Sequence, residues 1–365
     1  MEIAHFILSM GVGGGEKLVR RLSQNIKVPG YTNRVICFDS IDAFEGEFYE
    51  KNIPLDLVRR KQIVFDFGVI PSLVRMIRRH KIKLIHAHDL TSLSYGVVAG
   101  RLTGAKVVMT EHSRHYIDVA LKRRMEKWVW VMAASCLVEV SPELMKASLS
   151  RDKIPGYKIF VIENGVDIKT YGTAEPVDLH GQLGIPRDHK ICLTVGRLES
   201  IKGQQYLIEA MGILKDSAIA YHLVLVGDGA NRSILVNQAR QAGISEFSHF
   251  LGTRVDIPQI MAGADFLVIP SESEGLPFVL LEAMASGLPV IASRVGRIPG
   301  IIGENERGVL VNPKSSSDLA AALVQFFQNK NTLALSQKAH AYIQKKYSEQ
   351  VMLDQYKNLY QTLLM

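Results

Sequence analysis

The sequence predicts an α/β protein built from two doubly wound parallel sheets. Three observations carry that expectation. Short β-branched runs alternate with amphipathic stretches from end to end, the strand-like runs are apolar nearly throughout, and the whole pattern starts again midway. Near-continuous apolar strands imply burial on both faces, which a parallel sheet covered by crossover helices provides. A chain of 365 residues is also too long for one core, since cores stop growing at roughly 250–300 residues.

In the first half the strand-like runs are IAHFIL, RVICF, KLIHAH, KVVMT, CLVEV and IFVIEN. The helical patterns EKLVRRLSQ, PSLVRMIRRH and SLSYGVVAGRL lie between them. The second half reads KICLTV, YHLVLVG, FLVIP, PVIAS and GVLV as strands. Helical or turn segments GQQYLIEAMGILK, NRSILVNQARQAG, PQIMAG and LPFVLLEAMASG separate them. Gly172 to Pro186 has few periodic apolar residues and reads as linker. The expected domains are therefore 1–172 and 173–348. A last helix over 349–365 carries Val351, Leu353, Tyr356, Leu359, Tyr360 and Leu363, so it should dock, on a domain its periodicity does not name. In doubly wound sheets ligands bind beyond the carboxyl ends of the strands. Two such domains facing across a cleft would place the chemistry in the loops after strands.

Composition excludes several classes. Hydrophobic residues at 47% and charged residues at 22% describe an ordinary globular chain. Cys37, Cys136 and Cys192 are odd in number, lie in strand-like runs and show no paired spacing, which argues for core positions in a reducing compartment. The start, MEIAHFIL, lacks a basic region ahead of its apolar run and reads as a strand, not a signal peptide. The stretch Trp128 to Leu137 falls short of the ~20 residues that span a bilayer. A cytoplasmic protein is expected.

The net charge of +7 is uneven: residues 1–170 carry 26 Lys and Arg against 18 Asp and Glu, and the remainder 17 against 18. Basic clusters occur at Arg59–Lys61, Arg75–Lys83 and Lys122–Lys127. They read either as solvated helix faces or as an attraction to an anionic membrane or acceptor. Nucleic acid is not expected, because no stacking platform or groove-reading motif accompanies the charge.

Several loops carry candidate chemistry. After the first strand, Gly11-Val-Gly13-Gly14-Gly15-Glu16 opens a helix and can present N–H groups to an anion. A dinucleotide fingerprint would need glycine where Glu16 stands; Asp39, at the end of the second strand, would be its ribose-binding acid. The segment PSESEGLPFVLLEAMASGLPVIAS from Pro270 brings a loop with Glu272 and Glu274 to a helix starting near Leu276, with Pro277 in its first turn. Glu282 sits there among Leu280, Leu281, Ala283 and Met284, where a carboxylate needs polar partners such as a ribose diol. The helix start at Gly275–Leu276 can face a phosphate. Arg197 and Lys202, just after another strand, can neutralise a diphosphate leaving group, although each alone would pass for a surface charge. His86, His88 and Asp89 could bind a metal at a strand end, but no third His or Cys falls at matching spacing, so no metal and no cofactor are expected.

Gly13–Glu16 (GGGE), Thr110–His112 (TEH), Asn164–Asp167 (NGVD), Gly196–Gly203 (GRLESIKG) and the E-x7-E pair Glu274 to Glu282 occur in this order. That set resembles the retaining GT-B glycosyltransferases of family 4 over nearly the whole chain, most specifically in the C-terminal half. The resemblance implies two Rossmann-like domains and transfer of a sugar from a nucleotide diphosphate carrier, a UDP-sugar first and a GDP-sugar second. By it, Glu274 contacts the donor sugar, Glu282 holds the ribose, and Arg197 and Lys202 bind the diphosphate. Gly13 and Gly14 approach donor phosphate and acceptor, and His112 meets the sugar near the reacting carbon. It also implies a last helix crossing back onto the N-terminal domain.

The expected acceptor is a glycan or lipid-linked glycan of cell-surface polysaccharide synthesis, met at the inner face of the cytoplasmic membrane. Ala120–Met132, with Lys122–Arg124 beside Trp128 and Trp130, could lie on that surface. The cluster Arg114-His115-Tyr116 lies outside the motif set and is a candidate to face the acceptor. The rival readings are an epimerase or phosphorylase on the same frame, and a non-catalytic binding subunit.

Overall fold

The chain, as a computed structural model, is described for all residues except 12, 62–64, 113–120, 218–219 and 329–331, with only the backbone of 327 and 328. The cluster Arg114-His115-Tyr116 and residue Ala120 lie outside the described residues. The chain divides into two compact units, Met1–Asn164 with Gln350–Met365, and Gly165–Glu349.

Unit 1 holds a seven-stranded parallel sheet: β1 (Glu2–Met10), β2 (Thr32–Ile41), β3 (Leu55–Leu57), β4 (Ile82–Ala87), β5 (Lys106–Glu111), β6 (Cys136–Glu139) and β7 (Ile159–Val161). Their order is β3-β2-β1-β4-β5-β6-β7. Unit 2 holds β8 (Lys190–Val195), β9 (Tyr221–Val226), β10 (Ser248–Gly252), β11 (Phe266–Ile269), β12 (Val290–Ser293) and β13 (Val309–Val311) in the order β10-β9-β8-β11-β12-β13, again parallel. Both are Rossmann-like, and the strand order reverses between β1 and β4 in one and between β8 and β11 in the other. At such a reversal the crossover helices leave to opposite faces and open a crevice at the carboxyl ends.

The central strands are apolar because they are covered twice. Leu84, Ile85, Val108, Leu137, Leu193, Leu223, Val268 and Ile291 are fully buried. Two edge strands, β3 and β10, are absent from the sequence expectation. Both are only half-buried along their length, and Ser248 and His249 interrupt the apolar run by which inner strands are recognised. The three cysteines are buried and free. Gly172 to Pro186, read as linker, belongs to unit 2. It carries the helix Leu179–Leu183, capped by Asp178 through the Gly181 N–H at 3.0 Å, and its Val177 N–H bonds Gln259 O at 3.1 Å.

The last helix, Glu349–Leu364, lies almost wholly in unit 1. It buries Met352, Leu353, Tyr356, Leu359 and Tyr360. Tyr356 and Tyr360 meet strands β5 and β4 through their hydroxyls, at Thr110 and His86.

The helix Leu121–Ala133 packs Val131 into the core and buries a charge beside it. Its inner face carries Lys127, fully buried, whose ammonium donates to Glu111 Oε2 at 2.5 Å, Ser148 Oγ at 2.8 Å and Asp152 Oδ2 at 3.0 Å. It also lies 3.5 Å from Glu139. Burial would lower the Lys127 pKa, but the three carboxylates outweigh it and hold the ammonium charged. Burial, with Glu111 beside it, pushes Glu139 well above the usual carboxylate range. The outer face shows Leu121, Met125, Trp128 and Val129 to solvent.

Removing one member of a buried charge cluster leaves the others unpaired, at a cost of about 3–5 kcal/mol. Lys127→Met should lower the urea midpoint of unit 1 correspondingly at pH 7.5. An unchanged midpoint at pH 7.5 would show that the ion cluster does not hold this helix.

Candidate active site

In unit 2 the loops that follow the two switch-point strands meet. Lys202, after β8, donates to Glu274 Oε1, after β11, at 2.8 Å. Ser271 donates to the same oxygen at 2.7 Å. Two glycines permit this. Gly203 has φ +69°, and a Cβ there would stand 2.0 Å from Pro270 O; Gly296 has φ +53°, and its Cβ would stand 2.0 Å from Glu274 O. A side chain at either position meets backbone and a left-handed conformation together. Glu272 N–H also bonds Ile201 O at 2.9 Å, so the two loops are fastened on both sides of the ion pair.

The helix beyond runs Phe278–Ala285, two residues later than the sequence suggested, with Pro277 as its N-cap and not in its first turn. Proline at N-cap supplies no side-chain cap to the first turn. Glu282 is 1% exposed on this helix. Gly275 O accepts from Arg297 N–H at 2.9 Å, and Leu276 is buried. Arg197 is half-exposed and its guanidinium pairs with Glu199 in its own loop at 2.9 Å. Glu272 is a structural acid: it accepts from Tyr206 at 3.0 Å and Gln205 at 3.3 Å and pairs with Lys314 at 2.9 Å.

In unit 1 the candidates stand at the carboxyl ends of β1, β4 and β5. Gly13 is the N-cap of the helix Gly14–Asn25 with no side-chain cap, and the Glu16 carboxylate folds back over it. His112 follows β5 and lies on Gly15, where a Cβ would be 3.5 Å from its ring. Burial pushes the His112 imidazole down to about 4, so it is neutral at pH 7. Along the motif, Thr110 and Glu111 alternate faces and are each anchored: Thr110 to His86 at 2.7 Å and Tyr356 at 3.1 Å, and Glu111 to Lys127.

His86 and His88 do find a third histidine. Ligand atoms of His5, His86 and His88 lie within 4.8 Å of one another, because β1 and β4 are paired with His5 opposite His86. The expectation that no third ligand was available is corrected, since sequence spacing is blind to strand register. Both His86 nitrogens are nonetheless engaged, with Tyr360 at 2.5 Å and Thr110 at 2.7 Å, and His5 bonds His88 at 3.1 Å. Asp89 is taken as the N-cap of the next helix, by Ser92 N–H at 2.7 Å and Leu8 N–H at 3.2 Å. His5 and His88 thus share a hydrogen bond, while His86 bonds outside the trio. Asp39, the ribose-binding acid of the dinucleotide alternative, is held bidentately by Arg60 at 2.8 and 3.0 Å.

Together the fold and these loops define a class: a GT-B protein, in which two Rossmann-like units carry a basic loop, an E-x7-E helix and a T-x-H strand end. The comparisons agree. The family described as Glycosyltransferase Family 4 matches residues 12–170, and that described as Glycosyl transferases group 1 matches 178–348. The Escherichia coli UDP-Gal:alpha-D-GlcNAc-diphosphoundecaprenol alpha-1,3-galactosyltransferase is 29% identical, over 99% of this chain and 96% of its own. EpsF of Bacillus subtilis (strain 168), a provisionally named glycosyltransferase, is 30% identical over 80% and 79%. Among solved structures, Anabaena Alr3699/HepE in complex with UDP and glucose superposes with a TM-score of 0.87 at 24% identity, covering 99% of this chain and 100% of that one. The chain belongs to glycosyltransferase family 4.

Burial drives His5 to about 3, and His86 and His88 well below the ordinary 6.5. With His112, these rings are neutral in the folded unit and charge only on unfolding. Stability from them is therefore full above about pH 6.5 and lost as pH falls toward 4, by about 1.4 kcal/mol per pH unit for each proton taken up. Urea unfolding of unit 1 should show a falling midpoint between pH 7 and pH 5, less steep in His5→Asn. A flat profile would contradict the buried neutral assignment.

Proposed function

We propose that this chain transfers a sugar from a UDP-sugar to a lipid-linked glycan, keeping the anomeric configuration and without a metal ion. The observation that carries the reading is the Lys202–Glu274 pair beside Ser271. It joins a cation suited to a diphosphate and a carboxylate suited to sugar hydroxyls in one fastened pair of loops. Arg197, Lys202 and the helix start at Gly275–Leu276 hold and neutralise the departing diphosphate, which removes the need for a divalent cation. Glu282 takes the ribose hydroxyls, Glu274 and His112 position the sugar, and Gly13 and Gly14 approach the donor phosphate and the acceptor.

His112, neutral at pH 7, accepts or donates a hydrogen bond without adding charge. In this reading the acceptor attacks from the face the diphosphate leaves, and a phosphate oxygen takes the acceptor's proton. A UDP donor and a diphosphoundecaprenol-linked acceptor are what the Escherichia coli relative is named for, and HepE is described with UDP-glucose.

The acceptor implies an interface. In this reading the stripe Leu121, Met125, Trp128 and Val129, flanked by exposed Lys122 and Arg123, lies on an anionic membrane surface, at its cytoplasmic face. An apolar stripe turned outward departs from the polar outer face of a soluble helix. No described helix is long and apolar enough to cross a membrane.

A thermal-shift series without metal tests the donor. UDP and UDP-sugars should stabilise the protein more than GDP- or ADP-sugars, and Glu282→Ala should abolish the shift. Glu274→Gln or Lys202→Ala should lower turnover by about 100-fold or more with the fold intact; near-normal rates in either would remove the assignment. Separately, the protein should sediment with vesicles containing anionic lipid, less so in high salt, and Met125→Glu/Trp128→Glu should stay in solution. Equal sedimentation of that variant would exclude the helix as the contact.

A further inference from the structure

Among the described residues, three imidazole nitrogens of unit 1 are buried without a hydrogen-bond partner, Nε2 of His5 within a strand and, at strand ends, Nδ1 of His88 and Nε2 of His112. The His88 and His112 rings lie 5.7 Å apart and nearly parallel, at 24°. They follow neighbouring strands, β4 and β5, at the carboxyl ends where ligands bind in sheets of this type. His88 is 5% exposed. A buried polar atom left unpaired is costly, and native folds rarely keep one without a use.

The other nitrogen of His88 is fixed. Nε2 shares a hydrogen bond of 3.1 Å with Nδ1 of His5, itself fully buried. A neutral imidazole carries one N–H. If His88 Nε2 donates, His88 Nδ1 is a bare acceptor; if His5 Nδ1 donates, His88 keeps its hydrogen on Nδ1. The single bond to His5 therefore decides what His88 offers, and His5 Nε2, also without a partner, takes the opposite role. A hydroxyl suits either state, because its oxygen accepts and its hydrogen donates. Asp89 does not supply that partner, since its carboxylate is occupied by Ser92 and Leu8.

We propose that His88 is a further substrate-contacting residue beside His112, its Nδ1 hydrogen-bonded to a hydroxyl of the sugar being transferred. His5 behind it is a positioning residue that fixes the His88 tautomer. The inference rests on the glycosyl-transfer reading above, and the sugar is the ligand class whose hydroxyls match the unpaired nitrogens of His88 and His112.

The test uses the full chain with ¹⁵N-labelled histidine, following imidazole proton–nitrogen correlations. UDP is added first, then UDP-glucose, UDP-galactose and UDP-N-acetylglucosamine in separate samples. The His88 Nδ1 signal should move with one of the sugar nucleotides and not with UDP. His88→Gln, whose amide stands where Nε2 stood and keeps the bond to His5, should bind UDP as the parent does and turn over about 10-fold more slowly or worse. His5→Leu should lower turnover without weakening UDP binding. His5→Asn, which restores a group where Nδ1 stood, should recover part of the loss.

A His88 signal that stays still while a sugar nucleotide binds overturns the proposal, as does parental turnover in folded His88→Gln. If no sugar nucleotide perturbs any resonance of the parent protein, the glycosyl-transfer reading itself has failed, and this inference falls with it.

Discussion

A parallel sheet covered on both faces leaves no dry place for a polar side chain except where its strands end. The rest of this molecule follows from that constraint. The strand interiors are Leu, Ile and Val, fully buried. Polar groups near them such as Lys127 and Thr110 are paired within the unit, and others stand at a carboxyl end beside a switch point. Glu274 and Lys202 exemplify the second case, bridging the ends of β8 and β11 at 2.8 Å. His88 and His112 do so after β4 and β5.

The first case explains why the T-x-H strand end is rigid. Thr110 is held on one face by His86 and Tyr356, and Glu111 on the other by Lys127. His112 comes next, on Gly15. Anchoring from both sides means that the placement of His112 depends on a lysine from the surface helix Leu121–Ala133 and tyrosines from the last helix. That dependence links the proposed membrane-facing helix to the proposed sugar contact within one unit.

Much of this was legible in the sequence, for physical reasons that also mark the limits. Inner strands announce themselves because double burial demands unbroken apolar runs; the edge strands β3 and β10 do not, because no residue in either is buried, unlike the edge strands β7 and β13. The E-x7-E helix was visible because a carboxylate at position 282 among leucines needs an explanation. Lys127 was hidden, since a lysine in a basic run reads as solvated until three carboxylates from distant segments converge on it. His5 was hidden for the same kind of reason: its meeting with His86 and His88 is a matter of strand register. The linker reading of Gly172 to Pro186 failed because short capped helices leave little periodicity.

The central claim is that a sugar leaves a UDP carrier on this protein with its configuration kept. The most direct measurement supplies a UDP-α-sugar, ¹³C-labelled at the anomeric carbon, with a lipid-linked glycan acceptor, and reads the product linkage by NMR. The account predicts an α-linked product and release of UDP. A β-linked product, or label that never leaves the donor, would contradict it.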